Sequence, residues 1–381
     1  MLKQAIEDYL LWMIITGYTE NTIKNYERIL NRFFLFTKRE KIPWRDIFSF
    51  DTIESFHEES RSSNVKTAIK RLSEQLFEQK KIHRPFQQPH KELPDIYEQY
   101  LVYYAKVAQV KPDRILQTRS VLNALKDYLD KQKTNLANIK IEQLDAFLAE
   151  SYPHLLTRQC QRSCLRGFIA YLHHERRILK RDLASLLIGA PLFAQSKPPK
   201  FLRAHEVQEL FSSIDTSSSK GLRSYAMLLL AFTLGLRPVE ISLIRLDDIF
   251  FCNKEIIIRN RKGQNPIKLP LSDNTIRAIS TYIMGARPKS RKRILFFNLI
   301  APYGPISRQG VSMDIRDCMK KANLQASAYW LRHTYAKSLL ENGASIFEIK
   351  EMLGHNSIQN TWRYIHIHIE LMRKVIFNET L

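Results

Sequence analysis

The chain has 381 residues, 44% of them hydrophobic, which supports two to three domains with real cores and excludes a disordered or low-complexity protein. With 59 Lys plus Arg against 38 Asp plus Glu the formal charge is +21, the balance of a protein that binds a polyanion by displacing counterions. Cys160, Cys164, Cys252 and Cys318 form no C-x-x-C pair and are too few for a disulfide scaffold, so a reducing cytoplasm is expected.

In chain order, the first apolar run is YLLWMII. At about seven residues it is far short of the roughly 20 that span a bilayer, and neither a leader peptide nor a membrane anchor is read. The N-terminal half then shows an internal repeat. Ile29-Leu30-Asn31, Phe33 and Phe36 align with Val121-Leu122-Asn123, Leu125 and Tyr128 at an offset of 92. Ile53 and Phe56 match Leu144 and Phe147, and Ile69, Leu72, Leu76 and Ile82 match Leu165, Phe168, Leu172 and Ile178. Each copy reads as four helices: a leading helix, a Tyr/Phe-rich helix, a short helix after a loop, and a last helix ending in basic residues. Phe33, Phe34, Phe36, Trp44, Phe48 and Phe50 read as core, because aromatics at such spacing usually pack. Lys24, Arg28 and Arg32 give the first copy a basic polar face, and Arg158, Arg162 and Arg166 recur at i, i+4, i+8 in the second. His173-His174 has no ligand-spaced Cys or carboxylate, so no metal site is read there or elsewhere. Polar, Pro-containing stretches at 83–94 and 195–200 divide the chain into expected domains at 1–85, 95–190 and 200–381.

In the last block, RSYAMLLLAFTLGLRPVEISLI predicts an apolar helix from Tyr225 to Leu234, a stop at Gly235, Arg237 in the turn, and Pro238 opening the next helix. Glu240 either orients Arg237 through a salt bridge or caps its helix. The runs IFF, EIII and PIKLPL predict a three-stranded meander with Lys262 in its second turn, and a basic run from Arg287 to Arg293 follows. LRHTYAKSLLENG predicts a helix with Arg332 at its start and Gly343 at its end. In SIFEIKEMLGH, Ser345 and Glu348 form a capping box, Gly354 stops the helix and His355 comes next. NSIQNTWRYIH starts another short helix carrying Tyr364. The expected fold is mainly α, with a small antiparallel β-sheet in the C-terminal domain and two helical N-terminal modules.

Five strings in order, Arg237 in GLRPVE, Lys262 in RKGQNPIKLPL, Arg332 in LRHT, His355 in LGH and Tyr364 in NTWRYIH, resemble the tyrosine recombinase (phage-integrase) family over roughly the last 180 residues. The second helical copy resembles the family's core-binding domain. The resemblance implies a site-specific DNA recombinase. Arg237 and Arg332 would brace the phosphate with forked hydrogen bonds, His355 would donate to a non-bridging oxygen, and Lys262 would protonate the departing 5′-oxygen. Tyr364 would attack phosphorus, and the resulting 3′-phosphotyrosyl bond keeps the diester's energy, so neither a metal nor any other cofactor is needed. One position departs: where the family usually has His two residues before the Leu of its H-x-L-R-H string, this chain has Tyr329, a hydrogen-bond donor but a poor proton acceptor. His333, in the same string, reads as supporting, and His366 matches the family's Tyr-x-His.

Double-stranded DNA is the implied partner in a cytoplasmic, nucleoid-associated setting. The resemblance further implies a homotetramer on two DNA sites through exchange of the C-terminal helix, where Ile367, Leu371, Val375 and Ile376 offer an apolar face, and it leaves room for a paralogous recombinase. The first helical copy is either a second DNA-binding module or an oligomerisation module. A type IB topoisomerase-like enzyme and a DNA-binding regulator with a decayed site are the alternatives, the latter raised by Tyr329 alone.

Overall fold

The computed structural model describes residues 1–60, 64–86, 93–110, 112–189, 199–261, 266–354, 358 and 361. Two compact units emerge. One comprises Met1–Phe48, Ser55–Pro85 and Ala194–Leu381, and the other Ser49–Glu54 and Phe86–Phe193.

Helices α1 (Leu2–Ile15), α2 (Glu20–Arg39), α3 (Phe50–Ser60) and α4 (Val65–Glu78) form the first repeat. The second is α5 (Asp95–Ala108), α6 (Pro112–Lys131), α7 (Ile141–Ser151) and α8 (Leu155–His174), followed by the short α9 (Leu183–Leu186). Each copy also places a 3-10 turn between its second and third helices, at Trp44–Asp46 and at Leu136–Asn138. Many of the aligned apolar positions are buried, among them Ile29, Leu30 and Phe33 in α2 and Val121, Leu122 and Leu125 in α6, whereas Tyr128, Ile82 and Ile178 are only partly so. Phe33 packs on Phe56 at 5.2 Å between ring centroids, and Phe36 on Phe56 at 5.3 Å, so these two are core as their spacing predicts, whereas Phe34, Trp44, Phe48 and Phe50 are only partly buried. In the second unit Tyr97 stacks on Phe168 at 4.9 Å. The helix ends follow local chemistry: Thr19 accepts the Thr22 amide at the start of α2, and Lys38 and Arg39 sit in its last turn, against the negative end of the helix dipole.

The C-terminal block opens with α10 (Ala204–Ser212) and α11 (Ser219–Thr233), then the five-residue α12 (Pro238–Ser242). Strands β1 (Ile249–Phe250), β2 (Glu255–Ile258) and β3 (Ile267–Pro270) form the predicted antiparallel meander in the order β1-β2-β3, with Ile256 opposite both Ile249 and Leu269. Helices α13 (Asp273–Gly285), α14 (Arg308–Lys321), α15 (Ala328–Glu341) and α16 (Ile346–Leu353) complete the described part. Helix α11 is the spine of this block: Met227, Leu228 and Leu230 are fully buried, in one core with Ile256 and Leu269 of the sheet and Leu331 of α15. Arg223 of α11 is buried too, and donates to Asp314 of α14 from Nε at 3.0 Å and to the Phe297 carbonyl from Nη1 at 2.6 Å. Removing one member of such a pair strands a charge in the core and costs about 3–5 kcal/mol. No helix among the described residues is long and apolar enough to cross a membrane.

Candidate active site

The site starts at the corner between α11 and α12. Leu234 caps α11 and Gly235 follows at φ +61, where a Cβ would lie 2.4 Å from Cδ1 of Tyr335. Arg237 is extended at the N-cap of α12, with Pro238 in the first helical position as expected. Glu240 closes the corner with both oxygens. Its Oε2 accepts the Arg237 backbone N–H at 2.7 Å, and its Oε1 accepts Arg237 Nη1, also at 2.7 Å. The two roles that the sequence left open for Glu240 are therefore both filled: it caps the helix and holds the arginine.

Arg332 enters from α15. Rather than opening that helix, as the LRHT string predicts, it is the fifth helical residue, 4% exposed. The reason is that Ala328, one turn earlier, is already part of the buried stripe that runs on through Leu331, Arg332 and Ala336. Nη1 of Arg332 donates to the Gly235 carbonyl at 2.5 Å and lies 3.9 Å from Glu240 Oε2, while Nη2 donates to the Leu353 carbonyl. One guanidinium thus joins the end of the α11 turn to the end of α16. Helix α16 has the expected capping box of Ser345 and Glu348, and it ends at Gly354 in the left-handed conformation, φ +62. The Gly354 carbonyl accepts Arg237 Nη2 at 3.4 Å. In sequence, His355 follows.

A third guanidinium carries no motif in the sequence. Arg261, beyond β2, donates from Nη1 to the Glu351 carbonyl at 3.1 Å and from Nη2 to the Met352 carbonyl at 2.6 Å. Burial pulls it below the ordinary arginine value; Glu240 opposes that shift and Arg237 adds to it. Arg237 and Arg332 therefore share one carboxylate, Glu240, itself 3% exposed, and Arg261 lies within the electrostatic reach of Glu240 and of Glu351. Grouped cations in excess of their counter-charge, in a partly desolvated corner, suit an anionic ligand.

Other expected site residues fall elsewhere. Tyr329 sits in the first turn of α15, 51% exposed, with no hydrogen-bond partner among the described residues. His333 is partly buried on the same helix. Lys262, His355, Tyr364, His366 and the C-terminal helix with Ile367, Leu371, Val375 and Ile376 lie outside the described residues. On α8, Arg158 donates to the Tyr152 and Pro153 carbonyls at 3.0 and 3.3 Å, and Arg162 lies 3.7 Å from Asp145, so these two are turned to internal partners while Arg166 is exposed. His173 bonds the Leu179 carbonyl at 2.9 Å, a structural contact. In the basic run, Arg287 braces the Lys292 and Ile294 carbonyls, whereas Lys289, Arg291 and Lys292 are exposed. On α2, Lys24, Arg28 and Arg32 are all exposed; Lys24 pairs with Glu20 at 2.7 Å. No cluster of metal-ligating side chains occurs among the described residues.

A mainly helical block with a small antiparallel meander and two arginines gathered at helix ends defines a class, and comparison with known proteins gives it a family. Residues 200–370 match the phage integrase family. The chain is 33% identical over 208 residues to the tyrosine recombinase XerD of Listeria innocua, covering 53% of this chain and 69% of that one. It is 29% identical over 291 residues to the XerD of Staphylococcus epidermidis, covering 74% and 96%. The fold is similar to that of the XerH site-specific recombinase bound to a palindromic difH substrate, at a TM-score of 0.60 and 18% identity, over 76% of this chain and 98% of that one. The chain belongs to the phage integrase family of tyrosine recombinases.

Proposed function

We propose that this protein is a site-specific DNA recombinase that cuts and rejoins strands through Tyr364. The observation that carries the reading is the arginine cluster: Arg237 and Arg332, 95 residues apart in sequence, meet around the buried carboxylate of Glu240 at the C-terminal end of α16. There the two guanidiniums brace the scissile phosphate and offset the charge that builds on its non-bridging oxygens. His355, next after Gly354, donates a further hydrogen bond. The Tyr364 hydroxyl gives up its proton to solvent as its oxygen forms the bond to phosphorus and the bond to the 5′-oxygen breaks, and Lys262 gives that departing oxygen a proton. Reversal by a second strand's 5′-hydroxyl reseals the backbone without ATP. Tyr329 donates to the phosphate in place of the family's usual imidazole.

The partner is double-stranded DNA, held by the second helical module and the block from 200 to 381, with residues 1–85 as a further module. A homotetramer on two sites, joined through the C-terminal helices in a nucleoid-associated setting, completes the reading, with a paralogous recombinase as an alternative partner in that assembly. The test is a nicked suicide DNA carrying the protein's own site. The wild-type chain forms an SDS-resistant adduct, and Tyr364→Phe binds the same DNA but forms none. Adduct at the wild-type yield from the Phe variant means that another residue is the nucleophile.

A further inference from the structure

We propose that Arg261 is a positioning residue that straps the β2–β3 hairpin to the end of α16 and so sets the neighbouring Lys262 against the leaving oxygen. The strap stands on geometry, and its consequence for Lys262 rests on the recombinase reading. Arg261 immediately precedes Lys262, and its guanidinium reaches across to the Glu351 and Met352 carbonyls at 3.1 and 2.6 Å. Both are among the last-turn carbonyls of α16, which carry the negative end of the helix dipole; that of Glu351 also accepts the Gly354 N–H at 3.0 Å. A cation with forked donors satisfies two of them at once, whereas the compact ammonium of a lysine lacks that planar fork.

Two further observations show how closely the strap is fitted. A Cβ at Gly354 would lie 2.7 Å from Cζ and Nη2 of Arg261 and 2.8 Å from its Nε, so the guanidinium lies against the glycine and leaves no room for a side chain. Its Nε is buried and has no hydrogen-bond partner among the described residues, so the bonds that hold this group there are those to the two carbonyls. The consequence concerns Lys262, the next residue in sequence: a hold on Arg261 fixes the point of the chain from which Lys262 reaches out.

The test compares Arg261→Ala, Arg261→Lys, Lys262→Ala and Arg237→Ala as full-length chains on two suicide DNAs. One carries the ordinary 5′-bridging oxygen and the other sulfur there, which departs as a thiolate and needs no proton. On the oxygen substrate Arg261→Ala is expected to cleave roughly 10- to 100-fold more slowly, below the full contribution of a positioned general acid, and Arg261→Lys in between. The sulfur substrate restores both Arg261→Ala and Lys262→Ala and leaves Arg237→Ala slow. Equal slowing of Arg261→Ala on both substrates, or no slowing on either, overturns the proposal. Amide hydrogen exchange tests the strap without DNA: Arg261→Ala should speed exchange in peptides covering 255–270 and 346–354, and the exposed Arg291→Ala should not. Unchanged exchange overturns the strap. A wild-type chain that makes no adduct on any substrate removes the recombinase reading instead, and the exchange result still decides the strap.

Discussion

At the scale of single residues, Glu240 has the most to lose. It is the carboxylate shared by Arg237 and Arg332, with Arg261 in its electrostatic reach, and it is almost fully buried. Glu240→Gln keeps an acceptor for the Arg237 backbone N–H but leaves the guanidiniums without a counter-charge. We expect it to destabilise the free protein by about 3–5 kcal/mol, the cost of breaking a buried pair. Sulfate or DNA should raise the variant's Tm by more than the wild type's, because an anion replaces the missing charge; equal shifts in thermal melts would show that the cluster does not hold an anion. Tyr329 and Tyr335 separate on exposure. Burial pushes the Tyr335 phenol above its ordinary value, with Arg332 and Arg261 pulling the other way, so it stays neutral and packed against Gly235. Tyr329 is open to solvent. If its phenol donates to the phosphate, single-turnover cleavage slows in Tyr329→Phe by roughly 10-fold, about one neutral hydrogen bond's worth. Tyr329→His should retain or exceed the parent rate near neutral pH, since imidazole both donates and exchanges a proton. A Phe variant as fast as the parent would mean that the Tyr329 hydroxyl takes no part in cleavage.

At the scale of elements, the site is a meeting of helix ends, and glycines set how close they come. Gly343 at φ +83 has nothing within 4 Å of a Cβ position, whereas Gly235 at φ +61 has the Tyr335 ring 2.4 Å away. Gly343→Ala should therefore cost only the left-handed backbone term, about 1–2 kcal/mol. Gly235→Ala should cost that plus a displacement of α15, the helix that carries Arg332. Denaturant melts of the two variants isolate the overlap by difference, and cleavage should fall only in Gly235→Ala. Equal losses in both would show that Tyr335 moves aside freely.

At the scale of the whole molecule, the first repeat is the open question with a measurable answer. Lys24 and Arg28 line an open polar cleft of about 620 Å³ with Asn21, Asn25, Asn64 and Thr67, and Arg32 is exposed further along α2. If this face follows a DNA backbone, deleting residues 1–85 or reversing charge at Lys24, Arg28 and Arg32 shortens the footprint. Either change also flattens the plot of log affinity against log salt, by roughly 0.9 for each phosphate that is no longer neutralised. Cleavage of a short core substrate should persist, because Arg237, Glu240 and Arg332 all lie in the C-terminal block. An unaltered salt slope together with a changed sedimentation coefficient would assign the module to protein contacts.

Sequence alone determined what local rules govern. Pro238 at a helix start, Gly354 as a left-handed stop, the Ser345–Glu348 box and the β1-β2-β3 meander are each set by residues within a few positions of one another, and each is where its pattern predicts. The repeat was legible for the same reason: its apolar spacing is helical, and aligned positions such as Phe33 and Leu125 are both buried. Arg237 and Arg332 are marked by their strings, but no periodicity states that they share Glu240, and the LRHT string sets the start of α15 too late because Ala328 is too small to mark an apolar stripe by itself. Only the tertiary structure decided that Arg158 and Arg162 turn to internal partners while Arg166 does not. Arg261 shows the limit most clearly. In the sequence it is one more cation in a basic turn, and its place depends on carbonyls 90 and 91 residues away, which packing brings near and spacing cannot encode.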